Sequence, residues 1–159
     1  MKMARKKYRY TILRAIILLA AVPLITVVYA SEGRCGQNVK VSVKTIYASK
    51  KDNTIDPRIK NLVRELNSVI KYTSYELLSQ KNLSLEKDKK AVVQLPGGRT
   101  MSLVSKGVEG GRVTLQIEYS KKGSGVIQTN IDFRNNGDVT LAGPEYKGGV
   151  LFFHILTSF

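Results

Sequence analysis

The sequence predicts an α+β domain, built from one N-terminal strand, one long amphipathic helix and an antiparallel β-meander of about five or six strands. Three observations predict it. Val39 to Tyr47 alternates apolar and polar residues in its first half, the period of a half-buried strand. Ile59, Leu62, Val63, Leu66, Val69, Ile70 and, past a polar break, Leu77 follow the i, i+3, i+4 spacing of a one-sided helix. From Ala91 onward the period falls to two, with turn residues at short intervals.

The helix has a marked start. Asp56 can accept from free backbone N–H groups, and Pro57 suits the first helical position, where its missing donor costs nothing. Its other face carries Arg58, Lys60, Asn61, Arg64, Asn67 and Lys71, so the apolar face is expected to pack on a sheet. Tyr72-Thr-Ser-Tyr75 forms helix poorly, and the helix is expected to end, bend or restart there. Leu83 to Lys90 reads as a charged connection.

In the meander, Ala91–Leu95 and Thr100–Ser105 flank Pro96-Gly-Gly-Arg99, a hairpin connection. After Gly110-Gly111, the strand Arg112–Ser120 places Val113, Leu115, Ile117 and Tyr119 on one face. Beyond the Lys121–Gly125 turn, Ile127, Thr129, Ile131 and Phe133 point inward. Asn135-Asn-Gly-Asp138 is a strong hairpin signal, because Asn-Gly tolerates a positive φ. Val139–Leu141 leads into a loop from Gly143-Pro144 to Gly149, and Val150–Leu156 is apolar on both faces. A strand of that kind is central or covered on both sides.

Ahead of the domain lies an export signal. A basic stretch from Met1 to Arg14 precedes the apolar run Ala15–Val28, and Val28-Tyr29-Ala30 puts small residues where a signal peptidase cuts, between Ala30 and Ser31. Fourteen or so apolar residues interrupted by Pro23 are short against the roughly 20 that span a bilayer. The division is therefore 1–30 signal peptide, 31–38 flexible arm, 39–159 a single α+β domain. The expected location is periplasmic or secreted, with contact to the membrane only through the signal segment before cleavage. The alternative is an inner-membrane protein held by an uncleaved segment.

Charge has to be divided the same way. Six of the 26 basic residues and none of the 12 acids fall within residues 1–30. The remainder holds 20 basic against 12 acidic residues, a net of +8. Such a balance favours anionic surfaces, and for an exported chain an envelope polymer is a readier partner than nucleic acid. Few aromatics interleave with the lysines, which also argues against stacking on single strands. Cys35, the one cysteine, sits near the new N-terminus, where it is free or joins two chains by a disulfide.

No catalytic constellation stands out. The one histidine, His154, lies in an apolar run without a second metal-ligand type beside it. No Gly-x-Ser-x-Gly elbow, phosphate loop or carboxylate pair is present. No cofactor or metal is expected. Candidate partner-binding residues come from two loops: Arg99, and the pair Tyr146 and Lys147 between glycines.

Thr129-Asn-Ile-Asp-Phe-Arg-Asn-Asn-Gly-Asp-Val-Thr-Leu-Ala-Gly-Pro144 resembles the strand–turn–strand of bacterial secretins, with Pro144 in place of the second glycine of its ending. The resemblance covers a tenth of the chain and implies at most an accessory of an envelope machine. The chain as a whole looks like the short secreted proteins of Gram-negative bacteria. The expected function is a non-catalytic envelope binding or accessory module that engages a protein or an anionic envelope polymer. The alternatives are a small extracytoplasmic enzyme, with His154 as base, and an inhibitor of extracellular hydrolases with the helix-on-sheet layout of cystatins.

Overall fold

The computed structural model describes residues 38–67, 70–121 and 126–159. The signal segment, the Ala30–Ser31 cleavage site, Cys35 and Val69 lie outside the described residues. Eight strands account for most of the rest: β1 (Val39–Ser49), β2 (Ser74–Leu85), β3 (Lys90–Leu95), β4 (Arg99–Glu109), β5 (Arg112–Lys121), β6 (Val126–Arg134), β7 (Asp138–Tyr146) and β8 (Gly149–Ser158). They form two four-stranded antiparallel sheets, in the orders β2-β1-β8-β7 and β3-β4-β5-β6. The chain crosses from the first sheet to the second between β2 and β3, and returns between β6 and β7.

A shared core holds the two sheets together. Val39, Val41, Val43, Leu151, Phe153 and Ile155 of the first sheet face Val93, Met101, Leu103, Val113, Leu115, Ile117 and Phe133 of the second. These are the alternate residues of each strand, which is why period-two patterning places both sheets' inner faces. A second, smaller cluster lies on the outer face of the first sheet: Ile46, Ala48, Ile59, Val63, Tyr75, Leu77 and Phe152. Strand β8 is therefore buried on both faces, between β1 and β7.

The fold corrects the sequence expectation. The architecture is mostly β, two packed sheets rather than one meander beneath a long helix. Among the described residues, helical structure is confined to a 3-10 turn (Pro57–Ile59) and the seven-residue helix α1 (Lys60–Leu66). Asp56 does cap that turn, accepting from Arg58 N at 2.9 Å. The apolar residues past the break, Tyr75 and Leu77, belong to β2 instead.

A β-bulge explains why β2 does not read as a strand. Its register against β1 shifts between Thr45 and Ile46, leaving Leu78 as the extra residue. Before the bulge, Tyr75 and Leu77 face α1; after it, Leu83 and Leu85 face the other sheet. Alternation thus changes parity mid-strand and imitates the spacing of a helix continued from Leu66.

The Gly143–Gly149 segment is also corrected. It is not a loop: β7 runs on through Gly143 and Pro144 to Tyr146, with a register shift between Ala142 and Glu145. Only Lys147 and Gly148, both at positive φ, turn the chain into β8. Pro on an edge strand beside a bulge withholds an N–H that a foreign strand would need.

Candidate functional site

Strands β6 and β7 are the edges on one side of the sandwich, joined by a tight turn in which Gly137 N donates to Arg134 O at 2.9 Å. The sheets are closed near that turn and part away from it. Along β6 the inward positions pass from buried Phe133 through half-buried Ile131 to exposed Thr129 and Ile127. Ile127 is 68% exposed, far from the burial expected of an inward isoleucine.

The parting leaves a cleft of about 370 Å³, lined mainly by Met101, Ile117, Tyr119, Ile127, Leu141 and Phe153. Gly143 and Pro144 form its β7 wall. A Cβ on Gly143 would stand 2.6 Å from the Phe153 ring and 2.8 Å from Leu151 O, so only glycine lets β7 lie this close to β8.

The three residues singled out from the loops meet at this open end. Arg99 Nη1 donates to Pro96 O at 3.2 Å, and its Nη2 crosses to the other sheet to donate to Glu145 O at 3.3 Å. Lys147 Nζ lies 5.4 Å from the centre of the Tyr146 ring. Tyr146 packs edge-on against Tyr47 at 5.9 Å, and the Tyr47 hydroxyl donates to Lys147 O at 3.0 Å. Tyr146 is half-buried rather than exposed; Lys147 is exposed, as are Lys50, Lys51 and the side chain of Glu145 nearby.

Sequence reasoning missed the polar interior next to this cluster. Among the described residues, three buried side-chain polar atoms lack a hydrogen-bond partner: Thr45 Oγ1, Arg99 Nε and Tyr119 Oη. Tyr119 lines the cleft, and Thr45 lies opposite Phe153, which also lines it. Burial pushes the Tyr119 phenol up, and the charge of Arg99 offsets part of that rise. The two orphan donors thus lie within electrostatic reach of each other. Tyr119 and Arg99 alternate inward in the sequence, but nothing in one strand's pattern shows that two sheets part around them.

His154 sits elsewhere, on the outer face beside α1. Its Nδ1 is 3.1 Å from Thr140 Oγ1 and 3.7 Å from Asp138 Oδ2. In a nucleophile–histidine–acid relay, the hydroxyl and the carboxylate occupy opposite ring nitrogens; here both face one. Burial holds its pKa below the usual 6.5, against the pull of Asp138, with Lys44 lowering and Glu65 raising it further. The unfolded chain therefore takes up this proton more readily than the folded one. Stability from this group is full above the ordinary value and is lost as pH falls through it towards the folded pKa. His154→Gln is expected to flatten the melting temperature between about pH 7 and 5, read by circular dichroism.

Among the described residues no group of three His, Cys, Asp or Glu side chains could hold a metal ion. No described helix is long and apolar enough to cross a membrane. No family model, curated protein or solved structure matches the chain.

Proposed function

We propose that the chain is an exported, non-catalytic binding protein of the cell envelope whose ligand lodges between its two sheets at the β6–β7 seam. One observation carries this reading: an apolar cleft of about 370 Å³ whose mouth displays Ile127 to solvent. That volume falls in the range of small-molecule sites, roughly 300–1,000 Å³. Export and a periplasmic or secreted location are supported by the basic-then-apolar N-terminal pattern ending at Ala30.

Magnitudes narrow the ligand. A buried chain of about ten carbons gains roughly 8 kcal/mol at about 0.8 kcal/mol per methylene. Association costs of about 4–15 kcal/mol consume most of that gain. An apolar tail alone therefore binds weakly, and a useful ligand also needs a polar contact.

Saturable binding of a neutral naphthylamine dye to the exported product tests the reading. Ile127→Asp, at an exposed site, should leave the melting temperature unchanged. It should also weaken the dye by about tenfold or more, since a carboxylate in an apolar mouth costs at least 1.4 kcal/mol. Equal dye binding by the variant would sink the proposal. A second reading rests on the convergence of Arg99, Tyr146 and Lys147, which could grip an envelope protein or an anionic envelope polymer from outside. Capture on such a polymer that is insensitive to Ile127→Asp but lost with Lys147→Ala would favour it.

A further inference from the structure

The cleft has a chemistry at its end as well as a shape, and this inference rests on the cleft being a ligand site. We infer that it takes a single-chain amphiphile with a carboxylate headgroup, a fatty acid, whose tail lies along Ile117, Leu141 and Phe153 and whose head is held by Arg99 Nε and the Tyr119 hydroxyl. Both of those donors are buried and without a partner, whereas buried polar groups in folded proteins are almost always paired. Arg99 also has no carboxylate partner among the described residues; its Nη groups meet only the carbonyls of Pro96 and Glu145.

A half-buried guanidinium balanced by neutral carbonyls alone leaves a positive charge for a ligand to neutralise. Tyr119 lines the cleft, and Arg99 stands on the adjacent strand two residues from the lining residue Met101, close enough for its charge to act on the Tyr119 phenol. A guanidinium and a hydroxyl together suit the two oxygens of a carboxylate. Burial keeps the Tyr119 phenol protonated and so able to donate. Lys50, Lys51 and Lys147 gather at the β7–β8 turn, next to the Glu145 carbonyl that Arg99 meets. They give approaching anions a favourable field at that end of the sandwich, which the single carboxylate of Glu145 only partly opposes.

The same two atoms can be read as a structural strap in which Arg99 merely ties β4 to β7. The two roles separate at Tyr119. A strap does not need its hydroxyl, which bonds nothing.

The experiment is calorimetric titration of the exported product with lauric acid, its methyl ester, laurylamine and lauryl phosphate, repeated with Tyr119→Phe and Arg99→Lys. The acid should bind roughly ten- to a hundredfold more tightly than the ester or the amine, the span of one charge-assisted hydrogen bond. Tyr119→Phe should keep or raise the melting temperature and reduce the acid's advantage over the ester by about tenfold or more. Equal affinity for acid and ester would overturn the headgroup assignment while leaving the cleft as a ligand site. Tighter binding of the phosphate would overturn the carboxylate. Failure of every amphiphile together with the dye would remove the cleft reading itself. If Arg99→Lys fails to fold, Tyr119→Phe alone still decides the assignment.

Discussion

Gly149→Ala is expected to lower the melting temperature by roughly 5–15 °C. A Cβ at Gly149 would lie 2.2 Å from Ala48 O and 2.6 Å from the Tyr47 ring. The first contact is with backbone, and Ala48 pairs with Val150 in the β1–β8 ladder, so relief requires the two central strands to separate. Overpacking of this kind costs about 1–3 kcal/mol and sometimes more. The effect is steric, because Gly149 is not among the residues at positive φ. Gly98→Ala is the matched control. Gly98 has φ +68° but nothing within 4 Å of its absent Cβ, so it should lose only about 1–2 kcal/mol of left-handed strain. Thermal melts of both variants decide the matter. A Gly98 variant as unstable as the Gly149 one would contradict the steric account.

The displaced Tyr47 gives Gly149→Ala a second consequence. Tyr47 holds the β7–β8 turn through its hydroxyl bond to Lys147 O and its edge contact with Tyr146. Any shift of its ring loosens the end of the sandwich at which the cleft opens. Backbone hydrogen exchange at Lys147 and Gly148 should therefore speed up more than exchange in β3–β5.

How much of this was legible in the residues depends on whether a feature is local. Apart from the second half of β7, the strands after Lys90 follow from alternation and turn chemistry, and the Asn135–Gly137 turn from a dipeptide: Asn136 takes φ +57°, and a Cβ on Gly137 would meet Arg134 O at 2.9 Å. The double-sided burial of β8 follows from its uniform apolarity. The long helix was overextended because Ile70 and Leu77 keep a helix-like spacing past Leu66, where α1 ends, while β2, whose alternation changes parity at the extra residue Leu78, does not announce itself as a strand. The division into two sheets is invisible to any one strand, since inward residues look alike whichever sheet they face. Among the residues at the open end, Arg99, Tyr146 and Lys147 stood out in the sequence because turn residues flank them. Tyr119 and Ile127 could be placed on an inward face, but their distinction comes from where the sheets part.

Phe153→Ala is the second large effect expected, and it links the core to the cleft. Phe153 is 3% exposed, belongs to the inter-sheet core, lies 6.1 Å from the Tyr119 ring and forms a wall of the cleft. Truncating such a ring costs about 3–5 kcal/mol, a large part of the roughly 5–15 kcal/mol that holds a typical domain. Leu115, fully buried and away from the cleft lining, should cost about 2–5 kcal/mol when cut to alanine. The two losses differ in kind. The void at Leu115 is sealed, while the void at Phe153 adjoins an open cleft that a ligand can enter and fill. A ligand that binds only the folded state stabilises it by RT ln(1 + [L]/Kd), about 2.7 kcal/mol at a hundredfold excess over Kd. Saturating naphthylamine dye should therefore restore much of the melting temperature lost by Phe153→Ala and raise Leu115→Ala no more than it raises the unmodified protein. Equal rescue of both variants, or of neither, would mean that the ring of Phe153 does not border a ligand space, and the cleft would then be only a gap between sheet edges.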